Sequence, residues 1–208
     1  MGTAVLEVRH GSPQRLVRDL HDFDVLILPG WKNSGPEHWQ THWESAFPHM
    51  RRVLQADWDA PRYADWATRL TAAVAGCRSP VLLVAHSLGT ALVTRWAQES
   101  DTRAIAGAFL VAATDMDRFE GKDGNPYQGF APLLLKPLPF PAWVIASRND
   151  ERVDFERARA FANAWGAHCV DAGLLGHMGS ASRLGVWPQG LVWFGQFIAS
   201  LGGQDTRA

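Results

Sequence analysis

The chain is poor in cysteine, with only Cys77 and Cys169 among its 208 residues. Two thiols cannot build a disulfide framework, and they exclude a thiol-rich metal site. They fit a reducing compartment. Charge of neither sign is in excess: 20 Lys and Arg stand against 21 Asp and Glu, a formal −1. Nothing in that balance draws the chain to nucleic acid or to an anionic membrane surface, so neither is expected as a partner. No apolar run reaches the roughly 20 residues of a membrane-crossing helix. The first twenty residues include Glu7, Arg9, His10, Arg15, Arg18 and Asp19, with no apolar stretch between them. A secretory signal is therefore not expected, and a cytoplasmic location is. No G-x-G-x-x-G follows an apolar run and there is no phosphate loop, which leaves a nucleotide-binding fold without support. His38 and His42 have the four-residue spacing of helical zinc ligands, but Trp39 stands where the catalytic glutamate would be needed. They read as helix-surface or pocket-wall histidines, and neither a metal nor any other cofactor is expected.

What is present is a globular composition, 47% hydrophobic and 20% charged. A chain of this length can bury a substantial core as one domain. Four apolar runs are too short for helices and are bounded by turn residues: Val25–Leu28 before Pro29-Gly30, Val81–Ala85 after Pro80, Ile105–Ala113, and Trp143–Ala146 after Pro141. Such runs read as strands buried on both faces, as in a parallel sheet. Arg52–Ala56 and His168–Asp171 are weaker strand candidates. Between them lie helical patterns. Glu37–Phe47 puts Trp39, Trp43 and Phe47 on one face, and Tyr63–Ala75 does the same with Trp66, Leu70 and Val74. Leu88–Gln98, Phe155–Trp165 (stopped by Gly166) and Pro188–Leu201 complete the set. Strand and helix alternate along nearly the whole chain, which builds right-handed crossovers and a parallel sheet covered by helices on both faces. Reactive groups in such sheets collect at the carboxyl ends of the strands.

Four strand ends carry chemistry. Ala85-His86-Ser87-Leu88-Gly89 leads from a strand directly into a helix, a nucleophile-elbow pattern with alanine at the first glycine position. Ser87 would stand at the tip, with the Leu88 amide facing a developing oxyanion; the same serine could instead cap the helix. A hydroxyl needs a base, and His177, flanked by Gly176 and Gly179 after the last strand candidate, fits better than His10, His21 or His49. The base needs a carboxylate. Asp150 follows Trp143–Ala146 and is favoured. Asp171 comes second, Glu151 would face another way, and Asp154 reads as a cap of the next helix. The loop Pro29–Pro36 would supply a second oxyanion donor, the Trp31 amide, with Gly30 allowing close approach. Pocket-lining roles are expected for Gly30, His86 and Met178.

The segment Asp115–Pro139 separates two strands that one helix should join. It is too short for an independently folded cap, and its prolines prevent one long helix. A short flap is expected, its apolar part around Leu133–Leu135 walling a small pocket with Trp31 and Met178, unless those leucines simply pack in the core.

With these residues in hand, the chain resembles the small α/β-hydrolases of the retinoblastoma-binding protein 9 and YdeN type. The matching stretches are LPGWKNSGPEHWQTHWE at 28–44, VAHSLG at 84–89, ASRNDERV at 146–153 and FERARAFANAWGAHCVDAGLLGHMGSASRLGVWPQG at 155–190. The resemblance implies an α/β-hydrolase fold without a large cap domain: six strands beginning near Asp24, Arg52, Pro80, Ile105, Pro141 and Ala167, in spatial order 2-1-3-4-5-6, parallel, with helices on both faces. It implies a catalytic Ser–Asp–His set at Ser87, Asp150 and His177. It covers residues 23–201, leaving 1–22 as an extension with Ala4–Val8 an edge-strand candidate, and 202–208 as a tail. The chain departs from the family's Asn-Asp-Pro at Asn149-Asp150-Glu151, and from its His-Ile-Asn at His177-Met178-Gly179. These expectations describe a serine hydrolase that cleaves a small acyl ester through an acyl-enzyme. The alternatives are thioester or carbon–carbon hydrolysis on the same scaffold, or a protein-interaction module that keeps the fold.

Overall fold

The computed structural model describes residues 19–122 and 124–202. The segment Ala4–Val8, His10 and the tail beyond 202 lie outside the described residues. A single sheet runs through the molecule, with strands β1 (Asp24–Leu28), β2 (Met50–Arg52), β3 (Val81–His86), β4 (Ile105–Val111), β5 (Ala142–Ala146) and β6 (His168–Asp171). Their order is β2-β1-β3-β4-β5-β6, and every neighbouring pair is parallel. This is the order that the resemblance implies. The connection reverses direction between β1 and β3, which places the end of β3 at the crevice of the sheet.

Side-chain alternation along the strands separates two cores. Leu26, Leu28, Leu83 and Ala85 face one way, toward α2 (Tyr63–Ala75), α3 (Leu88–Glu99) and α5 (Phe155–Trp165). Val25, Ile27, Leu82 and Val84 face the other, toward α1 (Trp39–Ala46) and α6 (Pro188–Leu201). The helical spacing of the tryptophans has the expected consequence: Trp39, Trp43, Trp66, Trp96 and Trp165 are all fully buried.

Two elements differ from the sequence expectation. The second strand lies earlier, at Met50–Arg52 rather than Arg52–Ala56, because Met50 is the side chain that enters the core, paired with Val25. Leu54, inside the expected span, is 70% exposed. The segment between β4 and β5 contains one short helix, α4 (Met116–Phe119), and is closed by the Glu120 carboxylate. That carboxylate accepts the amides of Gly129, Phe130 (2.7 Å) and Ala131 (2.6 Å). Phe130 and Leu133 consequently pack into the core, the Leu134 carbonyl accepts the Trp165 indole N–H at 3.0 Å, and Leu135 is exposed. The expected apolar wall from Leu133–Leu135 is thus corrected: Leu133 packs in the core, the alternative reading, and Leu135 faces solvent.

Burial in the central strand sets a stability contrast. Leu83→Ala should cost about 2–5 kcal/mol, since it leaves a cavity in a closed core, whereas Leu54→Ala should stay within about 0.5 kcal/mol. Urea denaturation of the two variants checks this, and equal losses would contradict the assignment of the core.

Candidate active site

The turn that joins β3 to α3 is sharp, and Ser87 at its tip has φ 54° and ψ −123°, a combination that costs an L-residue conformational energy. The neighbours are small because nothing larger fits. A Cβ on Gly89 would lie 2.3 Å from the Leu28 carbonyl oxygen, and one on Gly30 would lie 2.8 Å from Ser87 Cβ. Ala85, at the first elbow position, is fully buried in the sheet. The Ser87 amide donates to the Val111 carbonyl at 3.1 Å, and the Ser87 carbonyl accepts from the Thr90 amide at 2.9 Å and hydroxyl at 2.7 Å. The backbone is fixed on both sides. The Ser87 side chain makes no capping bond to α3, so the helix-cap alternative fails.

Its hydroxyl points to His177 instead, with Oγ 2.8 Å from Nε2. His177 Nδ1 lies 2.9 and 3.0 Å from the two oxygens of Asp150. A carboxylate can only accept, so Nδ1 carries the proton and Nε2 accepts from Ser87. Thr114 Oγ1 is 3.1 Å from Ser87 Oγ. Because the serine's one proton is directed to the imidazole, Thr114 is the donor in that contact. The Asp150 side chain is 0% exposed and that of His177 16%. Asp150 also accepts the Arg152 amide at 2.8 Å.

The loops that bring Asp150 and His177 together are knitted to each other. Ser147 Oγ accepts the Leu175 amide at 2.9 Å, and Asn149 Oδ1 accepts the Gly176 amide at 2.8 Å. Behind the base, His86 Nε2 donates to the His177 carbonyl at 2.8 Å, and the Trp39 indole N–H donates to the Met178 carbonyl at 2.9 Å. Burial, reinforced by the neighbouring His38 and His177, holds the pKa of His86 well below its usual range, so it is a neutral donor there. His38 caps α1 by accepting the Gln40 amide at Nδ1, 3.1 Å away. Its proton is then on Nε2, which is buried without a partner among the described residues. Burial first, then the charge of Arg52, lowers its pKa to about 3.

The other carboxylates are elsewhere. Asp171 pairs with Arg148 at 2.5 Å and accepts the Gly173 amide at 2.9 Å. The Arg148 guanidinium is the main cause of its lowered pKa. Asp154 stands at the N-cap of α5 without making a side-chain cap bond, and Glu151 is exposed. His21 and His49 bond to each other, 2.9 Å apart.

The loop after β1 is held by Arg52, whose guanidinium donates to Asn33 Oδ1 and the Ser34 carbonyl, both at 2.8 Å. In this loop the Trp31 indole N–H donates to the Asp59 carbonyl at 3.0 Å. Among the described residues, the Trp31 and Leu88 amides have no hydrogen-bond partner. Both residues line a pocket of about 190 Å³ together with Gly30, His86, Ser87 and His177. The expected wall from Met178 is corrected. Its side chain is fully buried in the tryptophan-rich core on the α1 and α6 face, where an apolar chain is better accommodated. His38 lines the pocket, one of the two roles expected of it, and the walls that sequence reasoning missed include Thr114, Met116, Tyr127 and Arg152. Thr114 follows the end of β4 and could have been found by strand-end logic, whereas Tyr127 and Arg152 carry no such signal.

The family model for serine hydrolases matches residues 25–196. No curated protein matches the chain. A YdeN-like hydrolase from Pectobacterium atrosepticum is 32% identical, with a TM-score of 0.78 over 87% of this chain and 93% of that one. The ydeN gene product of B. subtilis is 19% identical, with a TM-score of 0.64 over 84% of this chain and 98% of its own. An esterase from Rhodococcus sp. shares the fold at 16% identity and a TM-score of 0.61, over 85% of this chain and 90% of that one. On the family match, the strand order and the identity to the Pectobacterium protein, this chain belongs to the serine hydrolase family, among the small α/β-hydrolases of the YdeN type.

Proposed function

We propose that the protein hydrolyses a small carboxylic ester through an acyl-enzyme, with Ser87 as nucleophile, His177 as base and Asp150 as its orienting carboxylate. The observation that carries this reading is the unbroken hydrogen-bond chain from Ser87 Oγ through His177 to Asp150. Ser87 Oγ attacks the acyl carbonyl while Nε2 of His177 takes its proton. The buried Asp150 stabilises the imidazolium and holds its tautomer. The amides of Leu88 and Trp31 are free to receive the oxyanion, where preorganised donors are worth more than in water. Collapse expels the alkoxide, which leaves as the alcohol after taking the proton from His177. Water then repeats the sequence to release the acid and restore Ser87. No step uses a cofactor. The substrate is a small acyl compound, and the two free cysteines fit action in the cytoplasm.

Fluorophosphonate labelling tests the nucleophile. The adduct should map to Ser87, and Ser87→Ala should abolish it without lowering the melting temperature. An adduct on another serine would contradict the assignment. The acid is tested by turnover of p-nitrophenyl acetate. Asp150→Asn should reduce kcat by about 10⁴-fold, the scale of acid loss in other Ser–His–Asp sets, while Asp171→Asn should leave kcat nearly unchanged. The reverse pattern would identify Asp171 as the working carboxylate. A p-nitrophenyl series from acetate to palmitate tests pocket size. Because the pocket is small, kcat/KM should stop rising within the short chains instead of gaining from each further methylene; a steady rise to palmitate would contradict it.

A further inference from the structure

Among its described lining residues the pocket has one permanently charged side chain. Among the described residues that line it there is no Asp or Glu, and Arg152 is the only Lys or Arg. Arg152 is half-buried, so its charge is partly withdrawn from water. Four acids of the surrounding loops have other partners. Asp115 and Asp117 pair with Arg157 at 3.2 and 3.3 Å, Asp150 faces His177, and Glu120 binds the backbone of residues 129–131. Arg152 itself forms no ion pair among the described residues.

Its position is nevertheless fixed. The Arg152 amide donates to Asp150 and its carbonyl accepts from the Asp115 amide. The guanidinium sits 5.3 Å from the Phe119 ring centroid and acts on the Tyr127 hydroxyl, countering the upward push of burial. Tyr127 in turn meets Trp31 edge-on at 5.5 Å. Packing on Phe119 does not by itself explain the charge, because the exposed Arg118 already stacks on that ring at 5.5 Å. A lone cation in the pocket also opposes the imidazolium that His177 must form, unless an anion enters with the substrate.

We propose that the acyl group taken by this site carries a carboxylate of its own, held by the Arg152 guanidinium with the Tyr127 hydroxyl beside it. The proposal rests on the hydrolase reading above and narrows its substrate class to half-esters of short dicarboxylic acids and their analogues. A planar carboxylate matches the guanidinium fork. Its single charge equals the one that the pocket presents, whereas a phosphate dianion would leave a charge unmatched.

The test compares monoethyl succinate with ethyl 4-oxopentanoate, its uncharged near-isostere, by ethanol release at neutral pH. In the wild type kcat/KM should favour the half-ester by about ten-fold or more, the scale of one charge-assisted hydrogen bond. The ratio should collapse toward unity in Arg152→Gln and in Arg152→Met, with Arg152→Lys keeping part of it. Two removals guard against one variant misfolding, and melting curves report on both. Binding is read separately in the inactive Ser87→Ala background by calorimetry with monoethyl succinate. Heat of binding should be present with Arg152 and lost without it. A ratio or a binding heat that is the same with and without Arg152, or no binding in either case, overturns the proposal. Failure of the hydrolase reading looks different: Ser87 takes up no fluorophosphonate and neither ester is cleaved, while the binding arm still decides the role of Arg152.

Discussion

The turn at Ser87 is the constraint on which the rest depends. Its backbone is held at a positive φ, at a cost on the order of 1–3 kcal/mol for such a conformation. The surrounding packing offsets it. Leu28 closes against Gly89, Gly30 closes against Ser87, and the end of β4 accepts the Ser87 amide. Three strands therefore meet one residue. The chain must place β1, β3 and β4 side by side in parallel before the hydroxyl can stand clear of its own helix, and the observed strand order does that. The conformational strain and the accessibility of the Ser87 hydroxyl are one feature: relaxing the turn would return the serine to an ordinary helix cap.

The site is also arranged so that only one group near Ser87 needs to change charge. His86 and His38 are buried and kept neutral. His86 spends its proton on the carbonyl of His177 and so fixes the loop without competing for the serine. Asp150 has no exposed side-chain surface, with His177 and the Arg152 amide taking its oxygens. An imidazolium formed at His177 meets that carboxylate in a poorly solvated setting, where their attraction is strong. Asp171, tied to Arg148 at the edge strand, could not play this part without breaking an ion pair.

The parts of the molecule that were legible in the sequence are those governed by periodicity and by strand ends. Short apolar runs marked β1, β3, β4 and β5, the first closed by Pro29-Gly30 and two others opened by Pro80 and Pro141, and the residues just after them located Trp31, Ser87 and Asp150. His177 was found by its chain order and its flanking glycines. Side chains on irregular loops were not legible, since no period fixes their direction. Met178 was read as a pocket wall, yet the chain turns there at φ 50° and its side chain is buried in the core. The leucines after Phe130 could be read as a pocket wall or as core, because local sequence cannot show the Glu120 latch that fixes Phe130 or the Asp117 carboxylate that holds the Leu133 amide. Tyr127 and Arg152 reach the pocket from segments far apart in sequence, and only the packed flap brings them together. The shift of β2 to Met50 has the same origin: an edge strand of three residues has too few side chains for alternation to register.

The central claim is that Ser87 attacks a carbonyl whose developing charge is met by two backbone amides. A crystal structure of the protein after reaction with a small fluorophosphonate tests it most directly. The account predicts a covalent bond at Ser87 Oγ, with one phosphonyl oxygen about 2.7–3.1 Å from both the Leu88 and Trp31 nitrogens and His177 still paired with Asp150. An adduct whose oxygen turns away from these amides, or one formed on another residue, would contradict it.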